Sequence, residues 1–276
     1  MPLKLMQLNC LYAHDEEQPK PWVSRCAVLR RWIAQLNPDI ITCQEITRGT
    51  RADTGATVDM LADLCAGSAL VHHVFGPACD EVMPFVSDGQ QEGVSLGNAI
   101  ASRWPISEHS LSPQLTWQRA TVGRGFAAKR SAIWARIETP YGPINCCCTH
   151  LDSTGPHDEN RLLQMADVLA FVTQRQQQQQ DPFVLCGDMN CHQDSDAIQY
   201  ACGRHAIDGV TSPITLTDAL GTVKPDHKSI DYVFVDGLTT VVESCEVVQE
   251  DGEFGEWPSD HPAILTWLHA IPSCKL

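Results

Sequence analysis

Short apolar or alternating runs recur along the whole chain: LKLMQLN (3–9), DIITCQE (39–45), GNAIAS (97–102), SAIWARIE (131–138), PINCCCTH (143–150), PFVLCGD (182–188), SIDYVFV (229–235) and PAILTWL (262–268). Turn residues bound most of them, so they read as β-strands. Helical patterns separate some of these runs. In WVSRCAVLRRWIAQL (22–36), Trp22, Cys26, Leu29, Ile33 and Leu36 recur at helical spacing before an Asn37-Pro38 stop. A second pattern runs from about Val58 to Leu64, and a third, DENRLLQMADVLAFVTQ (158–174), opens on acidic residues, as the helix dipole favours. Strands and helices mixed in this order predict an α/β (α+β) sandwich. The chain has 276 residues, and with no linker or internal repeat to divide it, residues 1–276 are expected to form one domain. The five-glutamine tract Gln176–Gln180 is expected to be a solvated helix end or loop.

Charge and cysteine usage narrow the setting. Acidic residues outnumber basic ones by 34 to 19, a net charge of −15. Binding along a phosphate backbone relies on Lys and Arg, so this excess argues against an extended nucleic-acid interface. A basic island interrupts the pattern: Arg119, Arg124, Lys129, Arg130 and Arg136 lie between Glu108 and Glu138 with no acidic residue among them. It is either a charge-balancing solvated face or a loop facing an anionic substrate. The thirteen cysteines are odd in number, and several sit inside apolar runs, as Cys43 and Cys146–Cys148 do. They are expected to be free thiols acting as small core hydrophobes in a reducing cytoplasm. The first twenty residues do not read as a signal peptide, and no apolar run approaches the roughly eighteen residues of a membrane helix, so no membrane insertion is expected. Oligomeric state stays open.

Where the strand-like runs end, residues able to bind metal or move protons appear: Asn9, Gln44-Glu45, Thr149-His150-Leu151-Asp152, Gly187-Asp188-Met189-Asn190, Asp231 and Ser259-Asp260-His261. Strand-end loops are where open sheets assemble sites. Glu45 closes a β-rich run, so its carboxylate can reach a hard cation, which one or two carboxylates and waters suffice to hold. Gly187 permits a sharp turn, after which Asp188 and Asn190 can face one pocket if the backbone stays extended. His261 follows Asp260, and Asp231 lies thirty residues upstream in another run; a buried carboxylate that accepts a hydrogen bond from an imidazole fixes the ring's tautomer and raises its basicity.

Taken in this order, the clusters resemble the endonuclease/exonuclease/phosphatase (DNase I-like) superfamily over nearly the whole chain, from Asn9 to His261. The resemblance implies a four-layer sandwich of two mixed β-sheets packed face to face and flanked by helices. It implies Mg²⁺ (or Mn²⁺) held by Glu45, with Asn9 and Asp260 close to the ion or its waters. It gives Asp188 the attacking water, Asn190 a phosphate contact, Asp231 and His261 a paired role, and His150 a second imidazole facing the phosphate. Arg130 is similar in position to a substrate-phosphate contact of related sequences, although Arg124 or Lys129 could take that role.

The expected activity is therefore metal-dependent hydrolysis of a phosphoester, with a small phosphorylated molecule favoured over long nucleic acid. A nuclease or DNA/RNA-end phosphodiesterase is the alternative, supported by the basic island and by a loose likeness of THLDSTGPHDENRLLQM to tyrosyl-DNA phosphodiesterases. A binding module of the same fold without chemistry is a third reading. Zinc at Cys186, Cys191 and His192 lacks the usual paired spacing. A Cys148 nucleophile on the face of His150 lacks a distinguishing activating partner.

Overall fold

The computed structural model of the protein describes residues 2–13, 21–50, 55–79, 93–116, 130–153, 158–176, 181–236, 240–248 and 258–270. The elements in order are β1 (Leu3–Asn9), α1 (Trp22–Leu36), β2 (Ile40–Thr50), β3 (Thr57–Asp59), α2 (Met60–Cys65), β4 (His72–Cys79), β5 (Val94–Ser102), β6 (Ile106–Leu111), β7 (Ala132–Thr139), β8 (Gly142–His150), α3 (Asp158–Gln176), β9 (Phe183–Asp188), α4 (Asp196–Ala201), β10 (Ala206–Ile207), β11 (Val210–Thr211), β12 (Thr217–Asp218), α5 (Ala219–Val223), β13 (Asp231–Val235), β14 (Thr240–Val248) and β15 (Ala263–Ala270).

Two large mixed sheets result. One runs β14-β15-β1-β2-β5-β4, with β3 added against β2; the other runs β12-β13-β9-β8-β7-β6, and β10–β11 form a separate pair. Each large sheet holds one parallel pair, β1–β2 and β8–β9. Parallel neighbours need a crossover, and α1 and α3 supply it. The helix expected over 22–36 forms over those residues, and Asn37 closes it in the left-handed region with φ 48°, its N–H on the Ile33 carbonyl. The second helix begins later than its sequence pattern, at Met60, because residues 57–59 pair with β2 and the Asp59 carboxylate caps the Ala62 N–H.

Three apolar layers show how the sheets stack. Met6, Leu8, Ile41 and Cys43 meet α1 and α2 on one outer side. Trp134, Cys147, Leu185 and Tyr232 meet α3 and α4 on the other. Leu3, Leu5, Ile40, Ile144, Cys146, Cys148, Val184, Cys186, Val233 and Val235 fill the layer between the sheets. Side chains alternate across a strand, so in β1 the residues in phase with Leu3 and Leu5 are Gln7 and Asn9. In β8 and β9 the same phase leads to His150 and Asp188, and in β13 Asp231 shares the phase of Val233. The inter-sheet layer is thus apolar along most of its length and polar at one end.

Eleven cysteines whose side chains are described are free thiols, nine of them buried, in keeping with the core-hydrophobe expectation. Edge strands were harder to see in the sequence: β6 is mostly exposed and β14 alternates between exposed and half-buried positions, so neither needs an apolar run. Gln176, expected to be solvated, is half-buried; its side chain accepts from Asn145 Nδ2 at 2.6 Å and donates to the Asp181 carbonyl at 3.0 Å. Residues 177–180 of the tract lie outside the described residues. Among those described, no helix is long and apolar enough to cross a membrane.

Gly187 serves a purpose other than the sharp turn expected of it. A Cβ there would lie 2.2 Å from the Thr149 backbone oxygen, across the parallel β8–β9 pair. Gly187→Ala is expected to destabilise the fold by about 1–3 kcal/mol, as overpacking does, read as a lower denaturant midpoint with an unchanged slope.

Candidate active site

Strand register assembles the site before any side chain is considered. Asp188 in β9 pairs with His150 of β8 on one side and with Asp231 of β13 on the other. In the facing sheet, Asn9 of β1 pairs with Gln44 of β2. The register of β2 with β5 then shifts between Cys43 and Ile46. At this bulge Glu45 adopts φ 59°, a left-handed conformation that a non-glycine residue takes only at a cost of about 1–3 kcal/mol. The bulge inserts a residue into the strand, and Glu45 reaches Asn9 although strand alternation alone would turn it towards the helices.

Asn9 joins the two carboxylates: its Nδ2 donates to Glu45 Oε1 at 3.1 Å and to Asp188 Oδ2 at 3.0 Å. Its Oδ1 accepts the Leu11 N–H at 3.1 Å, and the Tyr12 N–H reaches Glu45 Oε2 at 3.3 Å. The same Asp188 oxygen lies 3.5 Å from His150 Nε2 and 3.6 Å from His261 Nε2. The other, Oδ1, accepts the Asn190 N–H at 2.9 Å. Asn190 has φ 52°, so the segment turns instead of staying extended, and its Nδ2 donates to the Leu151 carbonyl at 3.0 Å. Asn190 therefore touches Asp188 through its backbone N–H in an Asx turn, and its side chain is tied just past the end of β8.

His261 Nδ1 lies 2.7 Å from Asp231 Oδ2, and Gln7 Nε2 donates to the other Asp231 oxygen at 3.3 Å. Ser259 ties the loop before β15 to β1, its Oγ donating to the Asn9 carbonyl at 2.6 Å and accepting the His261 N–H at 3.2 Å. Asp260 is exposed beside this loop, its Oδ1 3.4 Å from Ser259 Oγ. Arg130 is buried at 6% exposure; its Nη2 donates to Ser153 Oγ at 2.9 Å, while its Nε has no hydrogen-bond partner among the described residues.

Burial and charge set the protonation states. Burial, then repulsion from Asp231, raises the Asp188 carboxyl to about 7, with His261 and the Asn190 and Asn9 donors working the other way. Burial also works against charge on His261, but the hydrogen bond and negative charge of Asp231, with Asp188 and Asp260, outweigh it and raise this imidazole to about 9. His150 is held well below its ordinary value by burial and by the positive charges of Arg130 and His261. Burial lowers Arg130, opposed by Glu45, Asp188 and Asp152.

The rival sequence readings separate from this centre. Cys148 does share the face of His150, but its Sγ is buried against Gln44 Nε2 at 3.1 Å and the Cys43 carbonyl at 3.4 Å. Burial pushes its thiol far up. Cys186 lies between the sheets whereas Cys191 lies in the α3 side core, so these two thiols do not converge on zinc. Among the described residues, the cluster able to hold a metal is Asp188, Asp231 and His261, with ligand atoms within 4.8 Å of one another. Of the basic island, Arg119, Arg124 and Lys129 lie outside the described residues, and Arg136 is engaged with Asp181 at 2.9 Å. The acidic segment 250–257 and residues 80–92 also lie outside them.

The sequence reading gave no role to Gln7, although a polar residue in phase with Leu3 and Leu5 signals a polar function at the inter-sheet layer. Gln7 also accepts from Thr42 Oγ1 at 2.8 Å and Gln44 Nε2 at 3.1 Å. Asp152, fully buried after β8, was likewise without a role; its N–H meets Gln164 Oε1 at 2.8 Å and its carboxylate accepts from Asn160 Nδ2 at 3.2 Å.

A face-to-face pair of mixed sheets thus gathers carboxylates and imidazoles at one end, and the family of the chain is shown by comparison with known proteins. The chain belongs to the Endonuclease/Exonuclease/phosphatase family, whose sequence pattern matches residues 6–261. Members are usually phosphoester hydrolases and generally use divalent metals. Among solved structures, the fold is similar to an endonuclease/exonuclease/phosphatase from Beutenbergia cavernae (22% identity, 97% of this chain and 71% of that one, TM-score 0.72). It is similar to the human Nocturnin catalytic domain with bound sulfate (18%, 98% and 93%, TM-score 0.74). It also resembles the mannosyl-6-phosphatase Bt3783 of Bacteroides thetaiotaomicron (18%, 97% and 99%, TM-score 0.65). No curated protein sequence matches the chain.

Ring titration followed by NMR in metal-free protein should give His261 a pKa of about 9, so that the ring stays protonated through neutral pH. In Asp231→Asn the chief opposing charge is gone and burial regains influence, so the pKa should fall by at least one unit. An unmoved titration would show that Asp231 does not hold the proton.

Proposed function

We propose that the protein hydrolyses a phosphoester bond with the help of Mg²⁺ or Mn²⁺. The reading is carried by the convergence of three carboxylates and an imidazole: Asp231 holds His261 by a hydrogen bond, His261 Nε2 lies 3.6 Å from Asp188, and Asn9 links Asp188 to Glu45 by hydrogen bonds. Asp188, raised to about 7, is poised to align and deprotonate water near neutral pH. His261, kept protonated by Asp231, presents its Nε2 side towards Asp188 and stabilises negative charge on the phosphoryl oxygens. His150 offers a neutral imidazole to the same group. Arg130, with a buried Nε that lacks a partner, and Asn190 bind the phosphate.

The donor set suits a hard cation. Glu45 offers carboxylate oxygen and forms no ion pair among the described residues, Asp260 stands exposed nearby, and Asn9, whose Nδ2 faces the carboxylates while its Oδ1 takes the Leu11 N–H, orients Glu45 for the ion. Oxygen donors of this kind favour Mg²⁺ or Mn²⁺ over zinc. The carboxylates of Asp188 and Asp231 lie close together, and burial followed by repulsion from Asp231 raises the proton affinity of Asp188, which a cation would relieve. When bound, such an ion polarises the phosphoryl oxygen and neutralises the charge developing on it. The Asp188, Asp231 and His261 cluster is better suited to proton handling, because His261 Nδ1 is already engaged by Asp231.

A small phosphorylated substrate fits the net charge of −15, as it does the name of the mannosyl-6-phosphatase that shares the fold. The basic residues Arg119, Arg124 and Lys129 support the second reading, a nuclease acting on an end or a short single strand. The free thiols support a reducing cytoplasm as the compartment of this reading. A binding module without chemistry would have no reason to keep Glu45, Asp188, Asp231 and His261 together.

Asp188→Ala and His261→Ala are each expected to lower kcat by about 10²–10⁴-fold, the usual contribution of a positioned acid or base, with unchanged folding by circular dichroism. EDTA should abolish turnover and Mg²⁺ or Mn²⁺ restore it. The assay set is diesters, monoesters, lipid headgroups and short oligonucleotides. Near-normal turnover in either variant, or indifference to EDTA, would overturn the reading.

A further inference from the structure

A cavity of about 370 Å³ adjoins the catalytic pair, lined by Lys224, His227, Lys228, Asp231, Asp260 and His261 among others. That volume falls in the range of small-ligand sites. Lys224 and Lys228 are exposed. Four arginines are neutralised, in Arg48–Asp59, Arg103–Asp39, Arg136–Asp181 and Arg161–Asp158, but neither lysine forms an ion pair among the described residues. In a chain where acidic groups outnumber basic ones by 34 to 19, two such cations on one wall beside the site are conspicuous on charge balance alone.

The loop that carries them is held in place from below. His227 is buried at 4% exposure, its Nδ1 accepting the Ser229 N–H at 3.2 Å. That nitrogen therefore lacks a proton, and the ring's Nε2–H donates to Asp218 Oδ2 at 2.7 Å. The Lys224 N–H caps α5 through the Leu220 carbonyl, and the His227 N–H returns to the Lys224 carbonyl at 3.2 Å. Ser229 Oγ accepts the Asp231 N–H at 3.1 Å and donates to the Asp231 carbonyl at 2.9 Å. The backbone around Lys228 is thus fixed on both sides and runs directly into the residue that holds His261. Preorganisation of this kind lowers the entropic cost of binding.

We propose that this cavity is a second anion subsite, in which Lys224 and Lys228 receive a negatively charged group of the substrate while its other phosphate lies at His261 and Asp188. The inference rests on the reading of the site as a phosphoester hydrolase and gives that reading a substrate class: small phosphoesters carrying a further anionic group, of which a bisphosphate is the simplest. Asp260 on the same wall, and the acidic balance of the chain, work against a long polyanion.

Binding of fructose 1,6-bisphosphate and of fructose 6-phosphate to the full chain with Mg²⁺, followed by calorimetry, tests this. The bisphosphate should bind about tenfold more tightly, as two favourable exposed ion pairs allow. That preference should shrink as salt rises. In Lys224→Gln/Lys228→Gln the ratio of the two affinities should collapse towards one, and in Lys224→Arg/Lys228→Arg it should be kept, which separates charge from folding damage. Equal affinities in the unmodified protein, undetectable bisphosphate binding, or a preference that survives the glutamine pair would each overturn the subsite. A stronger lysine dependence for a short single-stranded oligonucleotide than for the bisphosphate would overturn the small-molecule class. Turnover of p-nitrophenyl phosphate and bis(p-nitrophenyl) phosphate, measured separately, tests the hydrolase reading itself, so loss of one conclusion is distinguishable from loss of the other.

Discussion

Strict alternation of side chains across the strands governs this molecule. The two sheets bury one face of every central strand against each other, and a shift of one residue in any of them would move its whole apolar set to the wrong side. Because that register is locked along the apolar length of β1, β8, β9 and β13, the last residues in phase, Asn9, His150, Asp188 and Asp231, have little freedom in where they arrive. The site is the continuation of the core, in polar residues, beyond the point where apolar ones stop. Its precision comes from packing some distance away, and the hydrogen bonds within it act on groups already close to their partners.

What the sequence revealed follows from the same alternation. Central strands are buried on both faces and must carry apolar residues, so their runs stand out, and the polar residues that end them stand out equally. Asp188, Asp231, His150 and His261 were legible for that reason. Edge strands such as β6 and β14 bury little and leave a weak pattern. Glu45 was legible as a strand-end carboxylate, but the bulge and left-handed backbone that turn it inward were not, since they depend on how β5 pairs with β2. Gly187 was visible as a special residue and given the wrong task, because a close approach between β8 and β9 is a tertiary fact. Gln7 carried a readable signal, a polar residue at a buried phase, although nothing in the sequence said that its amide would meet Asp231 from the opposite sheet.

Electrostatic tension runs through the polar end of the layer. Asp188 and Asp231 repel each other in a buried setting, His261 is drawn positive between them, and His150 is kept neutral first by burial and then by the positive charges of Arg130 and His261. Each group is displaced from its ordinary behaviour in a different direction, although all belong to one small cluster. Such divergence among neighbours lets acid and base coexist at a single pH. It also makes the cluster interdependent: altering one charge redistributes protons over the rest, so single substitutions here will not add.

The sulfur-rich middle of the sandwich has a separate consequence. Cys146, Cys148 and Cys186 lie between the sheets, with Cys147 on the reverse side of the same strand, and none is accessible in the closed structure. An alkylating reagent can meet the three inner thiols only when the sheets part, so their rate of modification measures the frequency of opening and not thiol chemistry at the surface. Oxidation during such an event would put a polar oxygen where there is no room or partner for it. For this protein, oxidative damage and failure to reclose are therefore the same event.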